Sequence, residues 1–299
     1  MRLQTKTPLS VTRGQDQRCW RDRGSGCLEE FRDQRSSLTM DELTNKLLGI
    51  RIGTAGWSIP KETAARFPAT GTHLERYGRV FGGVEINSSF YRRHKPSTYE
   101  RWARSVPDGF RFAVKVPRSI THDLRLQEPG SLLDLFAAEV AGLGPKLGPL
   151  LVQLPPSLTF EAGRSDRFFL ELRSRLDGPV ACEPRHRSWF TPEAEALLVR
   201  HQVARVAADP VLAPGANAPG GWPGLTYYRL HGSPRVYHSP YGEEAVRDVV
   251  TQLARRASEG SDCWCIFDNT ASFAATPNAL TAMEFAAGLM SGPKATSAG

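Results

Sequence analysis

The chain has 299 residues, of which 40% are hydrophobic and 23% are charged. This is ample for a well-buried core, and one α/β barrel takes roughly 250 residues as a single domain. No window approaches the ~18 uninterrupted apolar residues of a membrane span, so we expect a cytoplasmic protein with no membrane partner. The five cysteines are odd in number, which argues against a disulfide framework. Cys263 and Cys265 are interpreted as small buried hydrophobes rather than metal ligands.

The first 48 residues differ from the rest of the chain. They are rich in Arg, Gln, Asp, Ser and Gly and contain few periodic apolar positions. They also lack the apolar core of a secretory signal. We predict a disordered arm over residues 1–48, with Met40 as an alternative start. Residues 291–299 are predicted to be a flexible tail.

From Ile50 onward, short apolar runs alternate with amphipathic stretches, as in repeated βα units. The predicted strands are Ile50–Ala55, Val84–Ser88, Arg111–Val116, Leu150–Leu154, Val180–Glu183, Ala204–Ala208, Thr226–His231 and Cys263–Phe267. The predicted helices are Thr72–Phe81, Thr98–Ser105, Leu132–Leu143, Asp166–Leu176, Pro192–His201, Glu243–Ala257 and Asn278–Leu289. Ser97 and Thr191 are predicted N-caps, and no helix is predicted in Pro210–Gly224. Eight strands in one domain of this size favour a (β/α)₈ TIM barrel over residues 49–290.

The net charge of +7 is concentrated in one segment. Between Arg92 and Arg125 there are nine Lys or Arg residues against three acidic residues. Such a cluster attracts phosphates and other anions, although a solvated helix face has the same composition.

Polar residues end most of the predicted strands, where barrel enzymes hold their functional groups. Glu183, His231 and Lys115 are the candidate catalytic residues. The candidate substrate-binding residues are Asn87, Tyr91, His122, Gln153, Arg185, His186, Trp189, Asp209, Arg229, Tyr237 and Asn269. The two-residue period of a strand makes Glu85 face the same way as Asn87, and Arg229 the same way as His231. A buried ion-pair layer that serves only the barrel, such as Glu85 with Arg229, is the alternative.

The same residues resemble those of the YecE-like family, a domain of unknown function. The motifs that carry the resemblance are GTAGW from Gly53, EINSSFY from Glu85, FAVK from Phe112 with ITH from Ile120, QLPP from Gln153, EPRH from Glu183 with Trp189, RLHG from Arg229, and Asn269. Their order and spacing are specific over Ile50–Leu289. The resemblance implies a TIM barrel and supplies no reaction. This chain departs from the family pattern in its first 48 residues and at Asp268, where the family commonly has Asn.

Three functions remain open from the sequence, and none requires an identified cofactor. The first is a phosphoester hydrolase in which Glu183 and His231 act as acid and base, while Lys115, Arg185 and Arg229 hold an anionic small molecule or nucleic acid. A Schiff base at Lys115 is a variant of this enzyme. The second is a non-catalytic nucleic-acid or nucleotide binder with stacking aromatic residues. The third is a glycosidase that uses Glu85 and Glu183.

A catalytic metal is a less favoured addition to the first of these functions. Its candidate ligands are Glu183, His186, Asp209, His231 and His122.

Overall fold

Ten strands and eight α-helices lie along residues 49–291, the part of the chain that the computed structural model describes. The strands are β1 (Ile50–Thr54), β2 (Gly83–Ile86), β3 (Arg111–Lys115), β4 (Leu147–Gln153), β5 (Val180–Glu183), β6 (Val203–Arg205), β7 (Ala207–Asp209), β8 (Gly220–Gly221), β9 (Leu225–Leu230) and β10 (Asp262–Phe267). The α-helices are α1 (His73–Gly78), α2 (Ser88–Tyr91), α3 (Pro96–Arg104), α4 (Gly130–Val140), α5 (Ala162–Arg173), α6 (Pro192–Arg200), α7 (Glu243–Ser258) and α8 (Ala275–Ser291). The predicted N-terminal arm and residues 292–299 lie outside the described residues.

The strands form two sheets. One has the order β1-β10-β9-β7 and is parallel throughout, whereas the other has the order β2-β3-β4-β5-β6-β8 and is parallel except at its last pair. A single parallel bridge between Ala55 and Glu85 links β1 to β2. The fold is therefore a mixed α/β architecture with parallel sheets, in which the carboxyl ends of neighbouring strands lie at one edge.

The prediction of one closed barrel differs from this arrangement at the sixth predicted strand. Ala204–Ala208 was predicted as one strand, but the chain changes sheet at Val206, so that β6 pairs with β5 and β7 pairs with β9. The edge of β6 is instead occupied by the antiparallel β8, which comes from the Pro- and Gly-rich segment 210–224. The hydrogen bonds between strands therefore form two sheets, and no closed barrel, in the described part of the chain.

Helix ends follow local capping chemistry. Thr72 and Glu75 form a reciprocal capping box at the start of α1, and Thr191 caps α6 by accepting from the Ala194 N–H, as predicted. The prediction of Ser97 as a cap was wrong. Because Pro96 lacks an N–H and suits the first helical position, α3 begins there without a side-chain cap.

Two apolar clusters fill the interior. The larger one lies between strands and helices and includes Cys182, Cys263 and Cys265, all free and buried. Burial raises the pKa of each of these thiols, which keeps them as inert packing residues. The smaller cluster takes side chains from strands of both sheets, with Tyr227 and Trp264 as its largest members. No helix of residues 49–291 is long and apolar enough to cross a membrane.

Candidate functional site

A buried cluster of charged side chains lies at the carboxyl ends of the strands, with Arg229 of β9 at its centre. Its Nη2 is 2.8 Å from Glu85 Oε1 and 2.9 Å from Asp268 Oδ2, and its Nη1 is 3.1 Å from Glu183 Oε2. One guanidinium thus binds the carboxylates of Glu85 in β2, of Glu183 at the end of β5 and of Asp268 directly after β10. Burial alone would lower the pKa of Arg229, but the carboxylates of Asp268, Glu85 and Glu183 raise it well above its ordinary value.

Glu85 and Tyr227 form the floor of the cluster. Tyr227 donates its hydroxyl to Glu85 Oε2 at 2.9 Å, and burial raises the pKa of Tyr227 well above its ordinary value, so the phenol remains a donor. Both residues are fully buried. The pair formed by Glu85 and Arg229 agrees with the ion-pair layer that the sequence offered as an alternative, so we assign Glu85 a supporting position.

His231 lies between two carboxylates, one on each ring nitrogen. Nδ1 is 3.0 Å from Asp268 Oδ2, and Nε2 is 3.0 Å from Glu183 Oε1. The guanidinium of Arg185 also approaches Nε2 at 3.0 Å and Glu183 Oε1 at 2.5 Å. In the tautomer that donates from Nδ1 to Asp268, Nε2 is the nitrogen that can exchange a proton.

Glu183 remains ionised in this environment. Burial alone would raise its pKa, but Arg229 and Arg185 hold the pKa of this carboxyl well below its usual range. A carboxyl of this kind is a poor general acid. The predicted acid–base role of Glu183 is therefore limited to that of an acceptor that binds and orients its neighbours.

The charges of the cluster balance when His231 is neutral. The three carboxylates are those of Glu85, Glu183 and Asp268. The three cations are Lys115, Arg185 and Arg229. Without Asp268 the cluster would hold one cation in excess.

Lys115, at the end of β3, is the cation of the cluster that is not bound. Its side chain is only 7% exposed, and Nζ lies 4.1 Å from the centroid of the Phe90 ring. Within residues 49–291 it makes no hydrogen bond or ion pair. Burial, and then the charge of Arg229, lower the pKa of Lys115 to about 8.

Aromatic and imidazole rings surround the mouth of the cluster. His122 packs edge-on against Phe90, with ring centroids 5.0 Å apart, and burial, and then Lys115, lower the pKa of His122. Tyr237 contacts the His231 ring at 5.7 Å and is 43% exposed, whereas Tyr91 is 77% exposed. Asn87 reaches Asp268 Oδ1 at 3.4 Å.

Several of the predicted site residues have other positions. Trp189 is fully buried and donates to Leu158 O, and His186 caps the short turn Arg187–Trp189. Asp209 accepts from the Tyr241 hydroxyl at 2.7 Å. The amide of Asn269 donates to Ser239 O and Asn278 Oδ1. Gln153 ends β4 in register with Glu183.

The candidate site residues chosen from the sequence omitted Asp268 and Tyr227. The sequence contained a signal for both, because Tyr227 lies two residues before Arg229 on the same face of β9 and Asp268 directly follows β10. The sequence favoured Asn269, one position further on. Asp268 contacts His231, whereas Asn269 forms hydrogen bonds that connect loops.

Two cavities are lined by residues other than the charged side chains of the cluster. One, of about 240 Å³, is lined by residues at the ends of β1 and β10, including Thr54, Ser58 and Thr276. The other, of about 200 Å³, lies next to Asp209, Tyr228 and Tyr241. Among the residues that the structure describes, no group of three or more His, Cys, Asp or Glu side chains is arranged to hold a metal ion.

The family model described as "Protein of unknown function DUF72" matches residues 51–297. The chain therefore belongs to the DUF72 family, and its relatives include YecE, as the motifs indicated.

UPF0759 protein YecE of Escherichia coli (strain K12) is 36% identical over 106 residues, which cover 36% of this chain and 38% of YecE. UPF0759 protein YunF of Bacillus subtilis (strain 168) is 30% identical over 151 residues, which cover 48% of this chain and 53% of YunF. The matches thus span about two fifths to one half of the length of these relatives.

Solved structures of the same family have the same fold. A DUF72 family protein from Thermotoga maritima MSB8 superposes with a TM-score of 0.65 at 24% identity, covering 79% of this chain and 98% of that one. A DUF72 family protein from Enterococcus faecalis V583 gives 0.64 at 20% identity, covering 80% and 95%. At these identities the likeness concerns the fold alone.

Proposed function

We propose that the charged cluster is the active site of a hydrolase-like enzyme that acts on a phosphorylated or nucleic-acid-related substrate. The observation that supports this function most is a pair of cationic donors without partners. Lys115 Nζ makes no hydrogen bond within the described part of the chain, and Arg185 Nε is buried without one. A buried donor without an acceptor costs free energy, and an anionic ligand that binds Arg185 Nε would recover this cost.

His231 is the proton carrier in this proposal. Asp268 holds its Nδ1, and its Nε2, which Glu183 and Arg185 also contact, takes the proton of an attacking water and returns it to the leaving oxygen. Arg185 and Lys115 stabilise the charge of the phosphoryl oxygens. Glu183, held ionised, orients Arg185 and His231.

The same proposal includes a barrel-like enclosure and a cellular location. We treat the two sheets as the wall of one TIM-barrel-like enclosure, which the shared inner cluster of Tyr227 and Trp264 supports. A cytoplasmic location fits the free cysteines of the core.

Nucleic-acid binding without catalysis is the second candidate, and one observation favours it. Arg92, Lys95 and Arg101 are exposed, and their side chains form no ion pair within residues 49–291. With the exposed ring of Tyr91 they provide cations and a stacking surface. The glycosidase is third, because Arg229 binds both Glu85 and Glu183 and, with Arg185, holds the pKa of Glu183 well below its usual range.

Thermal melting with inorganic phosphate tests the anion site. We expect millimolar phosphate to raise the Tm of the wild type and to leave that of Lys115→Met unchanged. Arg255→Met, which removes an exposed charge at the end of α7, should keep the shift. Asp268→Asn removes one negative charge from the cluster and should enlarge it. Arg229 is unsuitable for this test, because its loss removes an ion pair from each of three buried carboxylates.

Activity and salt dependence separate the two candidates. The hydrolase should release p-nitrophenol from mono- or bis-(p-nitrophenyl) phosphate, with loss in His231→Gln. A non-catalytic binder would show no turnover and an affinity for single-stranded DNA that falls steeply with salt. The absence of both a phosphate shift and turnover would reject the hydrolase.

A further inference from the structure

Lys115 combines three features that ion pairing alone does not explain. Lys115 is more than nine-tenths buried, its ammonium faces the Phe90 ring instead of a carboxylate, and its Nζ has no hydrogen-bond partner among residues 49–291. The carboxylates of Glu85, Glu183 and Asp268 are close enough to influence it electrostatically, yet each contacts Arg229 instead.

We propose that Lys115 forms a Schiff base with the carbonyl carbon of a small aldehyde or ketone that also carries an anionic group. This inference goes beyond the proposed function, because it needs the same mouth but no hydrolysis. Arg185, with its buried and unpaired Nε, is the group that would bind the anionic end. The Phe90 ring provides an apolar wall beside Nζ.

The environment of Lys115 favours the reactive, neutral form of the amine. Burial and the guanidinium of Arg229 lower the pKa of Lys115 to about 8. At pH 8 about half of such amines are neutral, which is on the order of 100-fold more than for an ordinary lysine. Lysines that form Schiff bases are activated by this combination of desolvation and a neighbouring cation.

The proposed step is a condensation that releases one water. The Nζ lone pair attacks the carbonyl carbon, and the carbonyl oxygen takes up a proton to give a carbinolamine. The C–O bond then breaks, its oxygen leaves as water with a second proton, and Nζ supplies both protons overall as the C=N bond forms. His122 is placed to carry these protons, because its ring shares the Phe90 contact and Nε2 has no partner within the described residues.

Borohydride trapping tests the inference directly. The full-length protein is incubated with glyoxylate and sodium cyanoborohydride, and adducts are located by peptide mass spectrometry. We expect a single reduced adduct on Lys115, at a rate at pH 8 on the order of 100-fold above that of an ordinary lysine, in proportion to the neutral fractions. The rate at Lys115 should reach half its maximum near pH 8.

Matched probes and variants complete the experiment. Propanal, which lacks the anionic group, should react more slowly than glyoxylate, and Arg185→Met should remove that preference. Lys115→Arg keeps the charge and should abolish the adduct, whereas Lys95→Arg should not. Equal labelling of Lys115 and Lys95 in the wild type, or no adduct at Lys115, would overturn the inference. Neither result depends on the phosphate shift, so the two proposals can fail separately.

Discussion

Replacing Lys115 by Met should stabilise the protein, which is unusual for a buried position. The pKa of this lysine falls from 10.5 to about 8 on folding. Since each pH unit is worth about 1.4 kcal/mol, holding the charged form in the folded protein costs about 3 kcal/mol at neutral pH. Loss of the cation–π contact with Phe90 destabilises the variant by about 1 kcal/mol. The net gain is about 2 kcal/mol, or roughly 4 to 8 °C in Tm for a chain of this size.

The dependence on pH identifies the cause of this gain. For a base whose pKa is lower in the folded state, the folded state binds fewer protons between the folded and unfolded values. Wild-type stability should therefore rise from about pH 8 to 10.5. Below pH 8 the cost is fully present, and above 10.5 it is absent. The difference between Lys115→Met and the wild type should thus be largest at neutral pH and should shrink through this window.

Melting curves of both proteins from pH 6 to pH 11 measure this difference. Lys115→Met should melt higher at pH 7 while losing the phosphate shift, because the lysine lowers stability but serves binding. A variant that melts below the wild type at pH 7, or a difference that stays constant across the alkaline window, would refute the reasoning.

Three further outcomes are expected. Arg229→Met should lower the free energy of unfolding by about 3 to 5 kcal/mol in urea titrations, because buried carboxylates lose their partner, whereas Arg255→Met should have no measurable effect. Folding lowers the carboxyl pKa of Glu183. The ionised carboxylate therefore stabilises the folded protein above the unfolded pKa of 4.5, and this stabilisation is lost as the pH falls through the folded value. In an acid titration, Glu183→Gln should lose less stability below pH 4.5 than the wild type does. Gly53→Ala would place a Cβ 2.1 Å from a backbone carbonyl oxygen of β2 and should cost about 3 kcal/mol, whereas Gly82→Ala, with no atom within 4 Å, should melt like the wild type.

Most strands and helices were predictable from the sequence, because apolar periodicity and capping residues act locally. Thr72 and Thr191 begin helices where their side chains accept from the backbone three residues on. The two-residue strand period correctly placed Glu85 with Asn87 and Arg229 with His231 on shared faces. Family membership followed from the order of short motifs, which depends only on the sequence.

The tertiary structure decided which of these residues meet, and therefore the charge of the site. Asp268 and Asn269 are neighbours in the sequence, yet Asp268 contacts His231 and Asn269 joins two loops. At Val206 the chain changes sheet, with β8 at the edge of β6 and β7 beside β9, pairings that no local pattern encodes. For the same reason the sequence marked Lys115 as a cation at a strand end, but only packing against Phe90 and the binding of Arg229 to all three carboxylates left it without a partner.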